Sequence, residues 1–116
     1  MPNNFDYTFD DEVVSKFSYD SLNNRIEVYF SRYFDKKMNK FIETPCCWII
    51  EKWEKAYGKL SSEEKFDDLE EQLGIFSLLL SVELRENILS ITASTLDNRY
   101  IDLVFENPVI SFLKEA

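Results

Sequence analysis

Histidine is absent from the 116-residue sequence, and only two glycines are present. The first absence removes the side chain most often used as a general base, a triad partner or a metal ligand. Two glycines are also too few for the glycine-rich loops that cradle phosphate groups. Both absences argue against an enzyme, and we expect no cofactor.

Cysteine is scarce as well, and the two that are present, Cys46 and Cys47, are adjacent. A trans peptide holds neighbouring Cα atoms about 3.8 Å apart, which is below the usual range for a disulfide. Without histidine or a third cysteine, the chain has too few ligands for zinc. We therefore expect two buried thiols in a reducing compartment and no metal site.

Long hydrophobic runs are also missing. The longest apolar stretch, IFSLLLSVEL, is too short to cross a bilayer, and two serines interrupt it. The N-terminal MPNNFDYTFDDE has neither the basic nor the apolar region of a signal peptide, so we expect a cytoplasmic protein. The length fits one domain over residues 1–116, with a polar end, 1–11, that can fray.

Positive charge is in deficit, because thirteen basic residues face twenty-two acidic ones and give a net charge of −9. A field of this sign repels phosphate backbones and anionic membranes, so we expect no direct binding of nucleic acid or membrane. A basic protein would instead be attracted and captured faster. The same charge also fits a simple role in solubility.

Most of the sequence has the alternating pattern of antiparallel strands. VVSKFSY and RIEVYFSRYF flank the turn DSLNN and predict a hairpin, and KFIET predicts a short third strand. The runs IFSLLLSVEL, ILSITAS and YIDLVFE predict a meander, with VISFLKE as a short final strand. Together they predict an antiparallel sheet of about five to six strands.

Two segments have helical spacing instead. In TPCCWIIEKWEKAYGK, Thr44 and Pro45 suit a helix start and Gly58 suits its end, which predicts an amphipathic helix over about 45–57. SSEEKFDDLEEQLG predicts a second, short acidic helix over about 62–73. The predicted fold class is therefore α+β, with the first helix packed on one face of the sheet.

The second segment carries more negative charge than a helix needs. Pairs four residues apart, such as Glu63/Asp67 and Asp67/Glu71, repel each other. Only carboxylates in the first turn gain from the helix dipole. This excess suggests a surface that meets a positively charged partner.

The run PCCWIIEKWEKAYGKL, followed by LGIFSLLLSVEL and TLDNRYIDLVFENP, resembles bacterial immunity proteins. These are small, acidic, cytosolic partners of polymorphic or contact-dependent toxins. The likeness is one of general style over roughly residues 13–112: hairpin, aromatic helix, acidic segment and meander. It implies a non-enzymatic protein that binds one cognate toxin domain stoichiometrically and blocks it. Many such toxins are nucleases with basic clefts, which a carboxylate-rich surface can occupy.

This resemblance and the charge together suggest two sets of contacts to a basic partner. The first set lies in the acidic segment: Glu63, Glu64, Asp67, Asp68, Glu70 and Glu71. The second lies along the last hairpin: Asp97, Tyr100, Asp102 and Glu106. The two sets are alternatives that need not share a face. Asp97 and Asn98 are ordinary turn formers, which is the simpler interpretation of Asp97, and Arg99 can pair with Asp102 across the strand end.

Two other functions stay open. One is an adaptor that binds a cellular protein, or a homodimer formed through a sheet edge. The other is a small-molecule enzyme, which needs a deep pocket that gathers carboxylates such as Asp102 and Glu106 with raised pKa values.

Overall fold

The computed structural model describes residues 7–114, and these form antiparallel β-strands with one short helix. The elements in chain order are β1 (Tyr7–Thr8), β2 (Glu12–Asp20), β3 (Arg25–Phe30), β4 (Tyr33–Asp35), β5 (Lys40–Ile42), β6 (Cys46–Glu51), β7 (Lys55–Leu60), β8 (Asp67–Asp68), α1 (Leu69–Gln72), β9 (Phe76–Arg85), β10 (Ile88–Thr95), β11 (Tyr100–Glu106) and β12 (Val109–Lys114).

The strands form a small and a large sheet. The small sheet has the order β1-β4-β5, and the large one has the order β12-β6-β3-β2-β9-β10-β11-β7-β8. Strand β2 joins the two halves of the large sheet, because Glu12 and Val13 pair with β9 whereas Val14–Asp20 pairs with β3. The large sheet can therefore bend at β2.

Two short connections require the large sheet to fold back on itself. Only residues 52–54 connect β6 to β7, although these strands are six positions apart in the sheet. In a flat sheet they would lie about 29 Å apart, whereas this link reaches about 14 Å at most. Residues 107–108, between β11 and β12, make a second link of the same kind. The two halves consequently face each other across a common interior.

The interior is filled by alternate residues of the facing strands. One hydrophobic cluster contains Ile26, Val28 and Phe30 of β3, Cys46, Trp48 and Ile50 of β6, Leu89, Ile91 and Ala93 of β10, and Ile101, Leu103 and Phe105 of β11. Burying a large apolar side chain contributes about 1.5–3 kcal/mol, so this cluster is the main source of stability. The alternation also determines which residues point outward to solvent.

The predicted helix over 45–57 is wrong. Residues 46–51 form β6 and residues 55–60 form β7, with Lys52 at a φ of 55° between them. All five residues from Cys46 to Ile50 are buried, as in a strand covered on both faces. Such a run lacks the period of two, so the sequence pattern did not distinguish it from a helix. Gly58 does not end a helix but lies within β7.

The predicted helix over 62–73 is also wrong, because only Leu69–Gln72 is helical and Asp67–Asp68 is a strand. The fold is therefore mostly β rather than α+β, and it has twelve strands within residues 7–114 instead of five or six. The β2–β3 hairpin, the short strand in KFIET, the β9–β10–β11 meander and the final strand are confirmed.

The N-terminal expectation falls partly on residues 1–6, which lie outside the described part. Tyr7 and Thr8 pair with β4, and Phe9 is buried and stacks on Phe30 with 4.1 Å between ring centroids. Within residues 7–114 no helix is long and apolar enough to span a membrane.

Candidate partner-binding surface

The acidic segment, residues 63–71, lies at one end of the large sheet. Its strand β8 is the last in the sheet and pairs with Tyr57 and Gly58 of β7. All six predicted contact carboxylates of the segment are exposed. Within residues 7–114 none of them forms an ion pair, whereas Glu12, Glu27 and Glu51 are each paired with an arginine. The segment therefore presents uncompensated negative charge to solvent.

Helix α1 is held on the sheet at defined points. Leu69 is buried in the core, and Arg99 Nη1 donates a hydrogen bond to the Gln72 carbonyl oxygen at 2.9 Å. A Cβ atom on Gly58 would lie 3.0 Å from Gln72 Cβ and 3.1 Å from Leu103 Cδ2. Glycine at this position thus lets α1 approach β7 closely, which fixes the carboxylates around it.

Tyr19 of β2 connects the half of the large sheet that contains β3 to the acidic segment on the other half. Its hydroxyl donates to Glu70 Oε1 at 3.1 Å. Burial, together with the hydrogen bond and the charge of Glu70, raises the pKa of Tyr19 to about 12. The phenol therefore stays protonated near neutral pH and keeps donating to the carboxylate.

Two open depressions flank the acidic segment and share Asp68 and Glu71. The first, of about 310 Å³, is lined by Tyr19, Asn24, Trp53, Glu54, Lys55, Ala56, Asp68, Leu69, Glu70 and Glu71. The second, of about 530 Å³, is lined by two aromatic rings and three carboxylates: Tyr57, Phe66, Asp67, Asp68 and Glu71. Aromatic faces and carboxylates both attract the cationic ends of lysine and arginine.

The second predicted set lies on the outer side of the same half of the sheet. Tyr100, Asp102 and Glu106 alternate with buried residues of β11 and so project outward, as predicted. Directly opposite residues of an antiparallel pair share a face. Asp68 is opposite Tyr57, which is opposite Val104 of β11. Asp68 and the β11 residues therefore share one surface, called the outer face below. It is the solvent side of the neighbouring strands β9, β10, β11, β7 and β8.

Lys59 connects the two sets. Its Nζ lies 3.1 Å from Asp102 Oδ2 and donates to the Glu63 carbonyl oxygen at 2.9 Å. The same Nζ lies 5.6 Å from the centroid of the Phe66 ring. A single lysine thus fixes the start of the acidic segment against β11.

Asp102 is tied into the structure. Burial acts to raise its pKa, but hydrogen bonds from Lys59, Ser61 and Thr92 outweigh burial and lower the pKa below its usual value. The Ser61 and Thr92 hydroxyls each donate to Oδ1 at 2.9 Å. The enzyme alternative expected raised pKa values at carboxylates such as Asp102 and Glu106, whereas the pKa of Asp102 is lowered.

The other members of the second set differ in their surroundings. Asp97 accepts hydrogen bonds from Thr95 Oγ1 and, at 2.8 Å, from Arg99 Nε. The Thr95 bond, and then the Arg99 bond, lower the pKa of Asp97. The predicted pairing of Arg99 with Asp102 is therefore wrong, since Arg99 pairs with Asp97. Tyr100 is 60% exposed, and Glu106 is half-buried opposite Lys55.

Sequence reasoning missed the residues that organise this surface. Tyr57 was predicted to be the last residue of a helix, Gly58 to end that helix, and Lys59 to follow it, so the strand register of these residues was not predicted. The alternation in KAYGKL was the available signal, because Ala56, Gly58 and Leu60 face β11 residues of the buried face. Among residues 7–114 no three acidic or cysteine side chains converge as a metal site would require.

Comparisons with known proteins give no relative of this chain: no family model, no curated protein and no solved structure matches it significantly.

Proposed function

We propose that this chain is a bacterial immunity protein that acts in the cytoplasm by binding and neutralising a cognate basic toxin domain. The observation that carries the proposal is the set of six exposed carboxylates beside the outer face, none of which forms an ion pair within residues 7–114. Binding is stoichiometric and needs no catalytic group in this chain. A nuclease-type toxin fits best, because its basic cleft is shaped for phosphates that these carboxylates replace.

The geometry favours fast capture of a basic partner. Exposed like charges within one segment add their fields, and opposite charge on the partner raises the association rate. At physiological salt the field decays over about 8 Å, so the carboxylates closest to the contact matter most. Asp68 and Glu71 line both depressions and are the central pair.

The rigidity of the segment supports a binding role as well. Lys59 and Tyr19 hold it at Glu63 and Glu70, at 2.9 and 3.1 Å, and Arg99 holds the next residue, Gln72, at 2.9 Å. A surface fixed before binding loses less conformational entropy in the complex, which increases affinity. Charge placed only for solubility has no need of such fixation.

The runner-up function is an adaptor or homodimer that uses a sheet edge. Its support is β12, which ends the large sheet on the other side and exposes Val109 at 47% and Leu113 at 56%. The net charge of −9 opposes self-association through repulsion between copies. A molecular mass in solution that rises with concentration would favour this function over immunity.

The test of the proposal is capture followed by neutralisation. Tagged protein is used to recover partners from its own bacterium at low and at high salt, and the recovered domain is then expressed with and without this chain. We expect one basic domain in equimolar amount, less of it at high salt, and toxicity that this chain suppresses. A housekeeping partner, or a recovered domain whose toxicity persists in the presence of this chain, would contradict the proposal.

A further inference from the structure

An apolar row crosses the outer face away from the acidic segment. Val13 of β2 is directly opposite Leu78 of β9, Leu78 is opposite Ser94 of β10, and Ser94 is opposite Tyr100 of β11. Val13 is 68% exposed and Tyr100 is 60% exposed. These four residues, called the apolar row below, therefore lie side by side on one surface across four strands.

The neighbouring residues show that the row points outward. Glu12, Leu79, Ala93 and Ile101, each one position along the chain from a member of the row, are all buried. Successive residues of a strand point to opposite faces, so the row occupies the solvent side. Within residues 7–114 no helix or strand lies over it, since Val13 and Tyr100 keep most of their surface in solvent.

Ser94 has a small side chain, so the apolar row has a notch at its middle. Leu78 and Tyr100 lie two strands apart, about 10 Å, with only this small side chain between them. The Ser77 hydroxyl donates to the Ser94 carbonyl oxygen at 3.1 Å, which fixes the floor of the notch. A notch of this width accepts one aliphatic or aromatic side chain.

Two further exposed apolar residues lie next to each other just beyond the end of β10. Leu96 is 65% exposed and Ile75 is 54% exposed, and the Leu96 amide donates to the Ile75 carbonyl oxygen at 2.9 Å. Single exposed apolar residues are ordinary, whereas a contiguous group is typical of an interaction site.

Carboxylates border this apolar surface. Asp11 precedes the β2 end of the row and Asp97 follows Leu96, and both are exposed. Asp102 lies one outward position along β11 from Tyr100, but Lys59 is paired with it and Arg99 is paired with Asp97. The attraction for a cationic partner therefore comes from Asp11, the nearby acidic segment and the net charge of −9. A second copy of this chain would bring the same negative charge against them, whereas a partner with cations beside its apolar residues would be attracted.

We propose that the apolar row is the anchoring part of the docking surface and binds an apolar side chain of the basic partner, from a segment flanked by lysine or arginine. This inference rests on the proposed function and assigns different kinetic roles to two regions of the surface. The acidic segment sets the association rate, and the apolar row sets the dissociation rate, as buried aromatic and aliphatic anchors do in other complexes.

The test uses a synthetic peptide, Lys-Lys-Leu-Phe-Leu-Lys-Lys, titrated into the isotope-labelled protein and followed by NMR. We expect chemical-shift changes at the amides of Val13, Leu78 and Tyr100. Truncating one anchor, in Tyr100→Ser or Val13→Ser, should raise the dissociation constant about tenfold. Both positions are exposed, so the fold tolerates these changes. Leu22→Ser, at a 94% exposed position in the β2–β3 turn, is the control and should bind as wild type does.

Two control peptides separate charge from apolar contact. A version with aspartate in place of lysine should not bind, and one with serine in place of Leu-Phe-Leu should leave the row unshifted. Shift changes confined to residues 63–71, with Tyr100→Ser as tight as wild type, would overturn the inference and leave the proposed function standing. Shifts of the row that depend on protein concentration without peptide would overturn it in favour of a second copy. No shift of the row at saturating peptide would overturn it as well.

Discussion

Lys59 of β7 and Asp102 of β11 form an ion pair with 3.1 Å between Nζ and Oδ2, and the same Nζ donates to the Glu63 carbonyl oxygen. The Lys59 side chain therefore connects the sheet to the acidic segment. Its side chains are only 16% and 28% exposed, so solvent screens the interaction less than at an open surface. This contact explains why the two predicted patches form one surface.

The first prediction concerns the strength and pH dependence of this pair. Asp102→Asn keeps the shape but removes the charge, so we expect about 1 kcal/mol less stability near neutral pH. Because the pKa of Asp102 is lowered in the folded protein, its contribution is present above the unfolded pKa of about 3.9 and is lost as the pH falls through the folded value. The difference between variant and wild type, measured by urea unfolding, should therefore shrink in acid.

A double-mutant cycle with Lys59→Met tests whether the effect belongs to the pair. If the two residues interact, the double variant should lose less stability than the sum of the single variants, by about 0.5–1 kcal/mol. Additive losses would show that the ion pair does not stabilise the fold.

The second prediction concerns Tyr19. Tyr19→Phe removes the hydrogen bond to Glu70 and should cost about 1 kcal/mol. Hydrogen exchange of the amides in Leu69–Gln72 should become faster, because one of the ties of α1 is lost. Tyr100→Phe, at an exposed position of the outer face, is the control and should leave this exchange unchanged.

The same tyrosine gives a prediction in alkali. Its pKa rises from about 10 to about 12 in the folded state, so its contribution to stability is complete below pH 10 and is lost as the pH rises through 12. Wild type should lose stability over this interval more steeply than Tyr19→Phe. Equal slopes in urea unfolding at several pH values would contradict the hydrogen bond.

The third prediction concerns Gly58. An added Cβ would approach Gln72 Cβ to 3.0 Å and Leu103 Cδ2 to 3.1 Å, so in Gly58→Ala these two side chains must shift by a few tenths of an ångström within a packed region. We expect a loss of about 1–3 kcal/mol by thermal or urea unfolding. In a strand that had room for the methyl group, the same substitution would stabilise, so a gain in stability would contradict this packing.

Strands with one solvent-exposed face could be predicted from the sequence, whereas a strand buried on both faces could not. In strands with one solvent-exposed face, such as β3, β10 and β11, buried and more exposed residues alternate, and these strands were predicted. β6 was not found, because Cys47 and Ile49 on its outward side are buried as well, at 7% and 4% exposure. Continuous burial hides the period of two. The short link over residues 52–54 also contains no glycine, proline, asparagine or aspartate that would indicate a turn between two strands.

The candidate surface was predictable in charge but not in arrangement. Six carboxylates within residues 63–71 had to be largely exposed, since ionised side chains are rarely buried unpaired. The partner of Asp102 depends on the register between β7 and β11, which brings Lys59 opposite it from a distant part of the chain. The first half of β7, residues 55–57, was predicted to be the end of a helix, so the sequence analysis could not give that register.

The most direct test of the account is the association rate of the recovered basic partner domain with two charge-reversal variants, measured by stopped flow at several salt concentrations. Asp68→Lys with Glu71→Lys changes the pair shared by both depressions, and Glu43→Lys with Glu86→Lys makes the same change in net charge at exposed positions elsewhere. We predict that the first variant associates about tenfold more slowly at low salt and loses most of its salt dependence, whereas the second stays close to wild type. Equal slowing in both variants, or none in either, would contradict the acidic segment as the contact surface.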